Sequence, residues 1–369
     1  MLALKKRLRN RRYMSWSALH NTELAAVTGH AMVLLPSDKN ISGVIVIAGG
    51  LNEMHYQEDG TSSNVFPSDF AEYIGFPVTV YDPASGLVQS RNLMTETMGR
   101  NGHCMWHIGG GTLLVYGGTC DFSQGTPLAF CFSVSDTTRA FPCPSSFNIP
   151  PRFCAASCID KERGVVYVFG GSDPAVDYDF EDFELTFTNT VYTWDMLGGH
   201  TGLMRVTGDI PPPNMKSSIA FVRGKLYVYG GYHGSFLGGY VLDVASGVWS
   251  SLHNANPGLR SRCSLTAYRW GTTGPWSLLL VGGMGVGNIR LDDTWRYDIH
   301  HGKWELLDKG SVAPVSAHAV LLCEGTNKLW MYGGSDHLHG LAGRPMRCAY
   351  EMPIPIPSLK DLAIMHLMH

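Results

Sequence analysis

Hydrophobic residues along this chain fall in short runs, and six of these runs end in a pair of glycines. The runs are rich in β-branched and aromatic residues, which favour strands. Successive second glycines are 68, 53, 60, 52 and 51 residues apart, so a strand-based unit repeats about every fifty residues. The pairs are Gly49 and Gly50, Gly117 and Gly118, Gly170 and Gly171, Gly230 and Gly231, Gly282 and Gly283, and Gly333 and Gly334.

The fourth unit shows most clearly how each repeat is built. Two strands flank a turn at 223–225, the glycine pair follows, and two further strands flank a turn at 245–247. Polar turns containing glycine between short apolar runs are typical of hairpins, so the unit is predicted to be an antiparallel meander. Its predicted strands are 217–222, 226–229, 240–244 and 248–249.

A second signature lies in the third and fourth strands. An apolar residue is followed by a polar one, and a large apolar residue stands seven positions after the first. We expect these large residues to fill the wedge between neighbouring units. They are Val88, Phe141, Trp249 and Trp304 in units 1, 2, 4 and 5, and Leu203 or Met204 in the longer unit 3.

Both signatures together resemble the kelch family, which pairs Gly-Gly after an apolar strand with an aromatic-Asp and a Trp. The resemblance covers roughly residues 14–352, although only units 4 and 5 show every element. It implies an all-β fold, a kelch β-propeller with one blade per unit. Paired glycines suit a sharp exit from a strand beside a closely approaching chain, because glycine takes positive φ without steric cost.

The two ends of the chain decide the number of blades. The sixth unit offers one strand after its glycines, and then Pro353, Pro355 and Pro357 prevent further pairing. Residues 14–19, which include Trp16, resemble the fourth strand of unit 4. We therefore predict a six-bladed propeller whose last blade is closed by the N-terminal strand, which removes an exposed edge.

Composition and charge divide the chain into three parts. With 369 residues, 44% hydrophobic and 16% charged, the body at 14–352 is predicted to be globular, and no apolar run is long enough to span a membrane. Residues 353–369 form a Pro-rich tail with a predicted short apolar helix. Residues 1–13 carry six positive charges against a net charge of −3 for the whole chain. These are Lys5, Lys6, Arg7, Arg9, Arg11 and Arg12.

Two interpretations of this basic segment stay open. An Arg-rich start without acids resembles a mitochondrial presequence, with processing near Tyr13. Alternatively it is a retained arm that contacts an acidic surface or an RNA backbone.

Cysteine and histidine give no recognised metal motif. The nine cysteines contain no Cys-x-x-Cys pair, so we expect buried free thiols, no structural disulfide and no zinc. Cys154 and Cys158, four apart in a predicted strand, are the alternative metal pair. His30, His103 and His318 recur near the first strands of their units, which indicates a packing position. No cofactor is expected.

The resemblance also implies a binding surface. Kelch propellers that act as substrate adaptors grip acidic peptides with arginines just before the first strand of a blade. Such cations suit carboxylates and phosphates. The alternative is that an arginine at a strand start is solvated or pairs one blade with the next. The matching residues here are Arg100, Arg152 and Arg262, with Thr28, Lys216 or Asn214, and Ser316 in the remaining blades.

Two insertions are further candidates for contact with a partner. One is the polar segment 51–75 in unit 1, and the other is the acidic segment 173–184 in unit 3. Asp177, Asp179 and Glu181 alternate like calcium ligands, but Asp182 stands where the calcium loop needs glycine. A segment that docks a basic partner or repels a wrong one is therefore favoured over calcium, and a solvated loop without a binding role is the alternative.

These observations favour a non-enzymatic scaffold within a larger intracellular assembly, either cytoplasmic or cytoskeletal, with mitochondria as the alternative compartment. No nucleophile elbow, P-loop or dinucleotide motif occurs in the sequence. Two alternative functions remain. One is a small-molecule kelch enzyme resembling a sugar epimerase, and the other is a ribonucleoprotein scaffold whose basic arm contacts RNA.

Overall fold

The computed structural model describes most of the predicted propeller and leaves the two termini aside. The basic arm, the C-terminal helix and almost all of both insertions lie outside the described residues. Those residues are 14–19, 24, 28–37, 40–50, 76–93, 100–119, 129–136, 139–173, 186–252, 257–269, 274–323, 326–336, 346 and 349–354.

Six antiparallel sheets form the blades of a propeller, which confirms the predicted fold class. Blades 3 to 6 have their first strands at Ala156, Ser218, Ser264 and Ala319, and in blade 4 residues 207–208 add a short strand parallel to the last strand of the blade. In blades 1 to 3 the strands are β2 Ala31–Ser37, β3 Asn40–Ala48, β4 Phe76–Tyr81, β5 Val88–Leu93, β6 Asn101–Gly109, β7 Thr112–Thr119, β8 Ala129–Ser133, β9 Ala156–Asp160, β10 Val165–Phe169, β11 Val191–Asp195 and β12 His200–Leu203. In blades 4 to 6 they are β13 Thr207–Gly208, β14 Ser218–Val222, β15 Lys225–Tyr229, β16 Gly239–Asp243, β17 Val248–Ser251, β18 Arg260–Ser261, β19 Ser264–Arg269, β20 Trp276–Val281, β21 Met284–Gly285, β22 Asp293–Asp298, β23 Lys303–Lys309, β24 Ala319–Cys323, β25 Lys328–Tyr332, β26 Ala349–Pro353 and, from the N-terminus, β1 Ser17–Ala18.

The N-terminal strand closes the ring as predicted. β1 pairs antiparallel with β26, with Ser17 opposite Glu351 and Ala18 opposite Tyr350. Trp16, just before it, is 4% exposed and lies in a core shared with residues of blades 5 and 6. Its indole N–H donates to Thr294 Oγ1 in blade 5 at 2.9 Å. The strand therefore supplies the outer edge of blade 6 and an anchor to the preceding blade.

The hydrophobic core of the propeller is divided among the interfaces between blades. The first strands of consecutive blades contact one another around the centre, and the circle closes between β24 and β2. A separate cluster of buried side chains fills each of the six interfaces. Each blade is consequently stabilised by packing against both neighbours and not by its own strands alone.

Blade 2 departs from the predicted wedge residue. Phe141 pairs with Cys131 as an isolated bridge, but its side chain is 41% exposed. Pro142 and Pro144 follow at once, and proline cannot continue a ladder. Phe147 fills the wedge instead, with its ring centroid 5.0 Å from that of Trp194 in blade 3. The prediction for Phe141 is therefore wrong.

In blade 3 the choice between Leu203 and Met204 is settled by burial. Leu203 is 57% exposed, whereas Met204 packs against the core shared with blade 4. Cys154 also differs from expectation. It precedes β9 and has a φ of 51°, so it does not share a strand face with Cys158.

The glycine pairs are where one blade docks on the next, as the pair in blade 2 illustrates. Gly118 N–H donates to the carbonyl oxygen of Arg152 in blade 3 at 3.0 Å. Gly117 has a φ of 66°, and a Cβ at this position would overlap the same carbonyl oxygen. Positive φ and close approach of the next blade thus both require glycine here.

Gly117→Ala is accordingly expected to lower the free energy of unfolding by about 2–3 kcal/mol, from left-handed strain plus steric overlap. Gly110 provides the matched control, because its φ of 57° is similar and no atom lies within 4 Å of a Cβ added there. Gly110→Ala carries only the backbone penalty of about 1–2 kcal/mol. Urea denaturation of the two variants measures the difference, and equal midpoints would contradict the docking role.

Candidate functional site

One end of the central channel gathers the segments that precede the first strands of the blades. Consecutive strands of a meander run in opposite directions. The segment entering the first strand and the segment leaving the second strand therefore lie at the same end. The glycine pairs and the predicted cationic residues share this end, which we call the entry rim. Turns between first and second strands, such as the turn at Arg223, lie at the opposite rim.

A closed ring of backbone hydrogen bonds encircles the channel at the entry rim. In each blade one residue at the start of the first strand or just before it donates its N–H to the carbonyl of the corresponding residue in the preceding blade. The six N–H to O distances lie between 2.9 and 3.1 Å. Following the donors from blade 1 to blade 6, the ring residues are Gly29, Gly102, Cys154, Lys216, Arg262 and Ala317.

All six ring residues have left-handed backbone conformations, with φ between 51° and 68°. This conformation turns each N–H and carbonyl toward the neighbouring blades. It costs about 1–2 kcal/mol for each residue that has a Cβ. Four of the six positions carry this cost, and backbone strain of this kind concentrates at functional sites.

The ring has two different halves. Ala317, Gly29 and Gly102 follow one another and leave one half lined by backbone and a methyl group. Cys154, Lys216 and Arg262 occupy the other half at consecutive positions. Two cations and a thiol therefore lie on one side of the channel mouth, facing three small residues.

The side chains of this cationic half influence one another. Burial, together with the positive charge of Arg262, lowers the pKa of Lys216 to about 8. Burial raises the pKa of the Cys154 thiol, and the charges of Lys216 and Arg262 oppose that rise. No carboxylate in the described part of the chain forms an ion pair with Lys216. An anionic group beside Lys216 would supply the opposite charge there.

Comparison with known proteins agrees with this architecture. A family model described as the KLHDC2/KLHL20/DRC7 Kelch-repeats domain matches residues 179–342. Nearly half of the chain thus matches a kelch-repeat domain. Over 140 residues, 36% of its length, it is 26% identical to Acyl-CoA-binding domain-containing protein 5 of Arabidopsis thaliana. That match spans only 22% of the Arabidopsis protein, so it carries no information about the whole protein's activity.

The fold of the chain is similar to a solved structure titled "Structure of YjhT". The TM-score is 0.62, and the match covers 91% of this chain and 96% of the other. With 14% sequence identity, the likeness establishes the fold alone. Kelch propellers generally bind other proteins. Among the described residues, no helix is long and apolar enough to cross a bilayer.

Three of the residues predicted to bind a partner lie below the ring rather than on it. Arg100 is 2% exposed, and its guanidinium donates to Gly117 O at 3.0 Å and lies over the ring of Phe130. Arg152 is paired with Asp173 at 3.5 Å, and its side chain is 11% exposed. Ser316 is fully buried, with its hydroxyl 3.2 Å from that of Ser335. Lys216 and Arg262 are the predicted residues that the ring brings together.

Arg260 was missed in the sequence although it occupies the same position as Arg100 and Arg152, two residues before the ring. It is 1% exposed and binds both carboxylate oxygens of Asp293, at 2.8 and 3.0 Å. Asp293 also accepts a hydrogen bond from the indole of Trp295. Arg100, Arg152 and Arg260 therefore hold parts of their own blades together. In the sequence, the presence of a second arginine two residues from Arg262 was the available sign that only one of the two belongs to the ring.

Histidine recurs at the position directly after the ring in blades 6, 1 and 2. His318, His30 and His103 are each 7–8% exposed. The imidazole of His103 lies against Gly49 of the preceding blade, where a Cβ would collide with it. Blades 3 to 5 have Ala155, Ser217 and Cys263 there. Among the described residues, no group of three or more His, Cys, Asp or Glu could hold a metal ion.

Large apolar side chains also reach solvent at the entry rim of blade 5. Leu259 precedes the ring segment, while Val286 and Ile289 follow the glycine pair around a short 3₁₀ turn, Val286–Asn288. They are 52%, 71% and 53% exposed. The hydrogen-bonded pairing of Arg260 with Gly285 joins the two segments. An apolar patch therefore adjoins the blade that carries Arg262.

Proposed function

We propose that this kelch protein is a non-enzymatic scaffold that captures a partner protein at its entry rim, with an acidic segment of the partner contacting Lys216 and Arg262. The observation that carries this proposal is the uneven charge of the ring, whose two cationic residues are adjacent. Its two cations lie side by side at the mouth of the channel, held on a closed circle of hydrogen bonds. A partly desolvated pair of cations gains most from a carboxylate, because charge-assisted hydrogen bonds are the stronger kind.

The apolar patch of blade 5 supports a protein partner over a free anion. Leu259, Val286 and Ile289 are exposed beside the ring on the same rim. Protein interfaces commonly combine a few buried apolar anchors with charged groups that set orientation. We infer that the partner places an acidic group over the ring and apolar side chains over blade 5.

The strain of the ring permits a sharp test of this proposal. Lys216→Gly and Arg262→Gly each remove a cation and also relieve a left-handed residue, at φ of 61° and 53°. For Lys216→Gly the free energy of unfolding should be unchanged or raised by up to about 1 kcal/mol, since glycine accepts this conformation. Affinity for an acidic segment should fall about tenfold or more, because a charge-assisted hydrogen bond is lost.

Binding is measured by fluorescence anisotropy with a glutamate-rich peptide, and by capture of partners from native extract. Arg223→Gly is the matched control, because Arg223 is exposed at the opposite rim with a φ of 47°. Arg223→Gly removes one positive charge and one left-handed residue, as the ring variants do, but it should leave binding intact. Wild-type affinity should also decline as the pH rises through about 8, where Lys216 loses its proton. Binding that survives both ring variants overturns the proposal.

Several finer points of the proposal rest on the sequence alone. They are membership of a multi-subunit intracellular assembly, mitochondrial location as the alternative, and contact of the basic arm with RNA or an acidic surface. Native isolation at moderate and then high salt tests the assembly and the contact of the arm, because salt screens an arm held by charge. The isomerase alternative predicts instead that the protein purifies alone and that a sugar raises its melting temperature.

A further inference from the structure

Two thiols in blade 2 lie in direct contact. The Sγ atoms of Cys131 and Cys143 are 4.0 Å apart, with the Cys131 thiol directed at the sulfur of Cys143. Both cysteines are free in the structure. Neither belongs to the ring at the entry rim, and the scaffold function proposed above makes no use of them.

These thiols come together where the hydrogen bonding between β8 and the following segment stops. Cys131 lies in β8, and its N–H and carbonyl both bond to Phe141, at 2.8 and 2.9 Å. Cys143 lies two residues further on, between Pro142 and Pro144. Since proline stops the ladder there, Cys143 is not fixed by strand pairing and can approach β8 closely. A disulfide needs the two sulfurs about 2 Å closer.

The two cysteines differ in access to solvent and in charge environment. Cys131 is fully buried, whereas Cys143 is half-buried between exposed residues. The hydrogen bond from Cys131 lowers the pKa of the Cys143 thiol, and the nearby charge of Arg100 lowers it further. The same hydrogen bond and burial raise the pKa of Cys131. Cys143 is therefore the thiol suited to react with a reagent from solvent.

We propose that Cys143 and Cys131 form a reversible redox pair, in which Cys143 reacts with a low-molecular-weight disulfide and Cys131 completes an internal disulfide bond. The Cys143 thiolate attacks one sulfur of the reagent, forming a mixed disulfide and releasing one reagent thiolate. The Cys131 sulfur then attacks the Cys143 sulfur, and its proton passes to the second reagent thiolate as it leaves. Two protein thiols are oxidised, and one reagent disulfide is reduced to two thiols.

Oxidation would change a defined part of the fold. The bond would tie β8 to the segment that stands where a fourth strand would lie, and so close a covalent loop from 131 to 143. Cys131 and Cys143 both belong to the cluster between blades 2 and 3, together with Phe147 and Trp194. The oxidised form is therefore expected to hold this interface more firmly and to melt at a higher temperature than the reduced form.

The test incubates the native full-length protein with oxidised glutathione, followed by denaturation, alkylation and peptide mapping by mass spectrometry. In the wild type we expect a linked 131–143 peptide that dithiothreitol reverses. In Cys131→Ser we expect glutathione to remain on Cys143, at about tenfold or more the wild-type level, because the resolving thiol is gone. Cys143→Ser should leave Cys131 unmodified. Cys158→Ser is the matched control, because Cys158 is a half-buried thiol of blade 3, and this variant should still yield the linked peptide.

Three results would overturn the redox pair. They are persistent glutathione on wild-type Cys143 without an internal bond, no reaction at either cysteine, and an equal yield of the linked peptide from native and urea-unfolded protein. The last comparison needs no variant, so it holds even where a serine variant does not fold. Native geometry should favour the 131–143 link over the many pairings open to an unfolded chain with nine cysteines.

Discussion

Trp16→Ala is expected to lower the free energy of unfolding by about 3–5 kcal/mol, the usual loss for a fully packed indole. The side chain is 4% exposed and lies among Tyr268, Leu279 and Met331, residues of two different blades. The hydrogen bond from its indole N–H to Thr294 Oγ1 would also be lost. Because a domain is generally stable by only about 5–15 kcal/mol, this loss brings the ring close to unfolding.

Chemical denaturation followed by tryptophan fluorescence and circular dichroism measures this loss. Trp276→Ala is the control, since Trp276 is only half-buried and should cost less. A chain that starts at Glu23 loses both Trp16 and the β1 pairing with β26, so it should be at least as unstable as Trp16→Ala. If the truncated chain and Trp16→Ala both melt like the wild type, closure by the N-terminal strand is wrong.

Mild acid is expected to unfold the protein through its three repeated histidines. Burial, the dominant cause, lowers the pKa of His30 and His103 to about 3 and that of His318 to about 4. The charge of Arg100 further lowers the pKa of His103, and His318 further lowers that of His30. In the unfolded chain these histidines titrate near their ordinary value of about 6.5.

The sign of the pH effect follows from where the protons bind. Between pH 6.5 and about 4 these histidines bind as many as three protons in the unfolded chain, whereas in the folded chain they stay neutral. Stability is thus complete above pH 6.5 and falls with decreasing pH, by up to about 4 kcal/mol per pH unit for three groups. About 6 kcal/mol would be lost by pH 5, comparable to the whole stability of many domains.

Denaturation midpoints measured from pH 8 to pH 5 test this dependence. His318→Cys introduces the residue that blade 5 carries at the same position, and it should reduce the slope against pH by about a third. His301→Gln is the control, because His301 is exposed in a turn beside Asp298. A flat profile in the wild type, or an equal slope in both variants, would contradict the role assigned to the buried imidazoles.

The candidate site was only partly predictable from the sequence. The ring residues lie 20, 15, 16, 14, 20 and 16 positions before the first glycine of their blades. This spacing varies because the intervening hairpins differ in length, so no fixed offset identifies the ring. Position just before the first strand selected Arg100 and Arg152 together with Arg262, although the first two correspond in the structure to Arg260. The cationic half of the ring became apparent only from the hydrogen bonds between blades.

The sequence by itself determined the fold class, the six blades and their closure by the N-terminal strand. These features depend on signals repeated along the chain, namely apolar runs, glycine pairs and the wedge tryptophans, and repetition makes local signals reliable. Only the tertiary structure decided which cations meet at the channel mouth, that Phe147 replaces Phe141, and that Cys131 contacts Cys143. Left-handed backbone conformations orient the ring residues, and Pro142 and Pro144 end the strand pairing that would otherwise have placed Phe141 in the wedge. Their effect depends on the neighbouring blade, which no local pattern records.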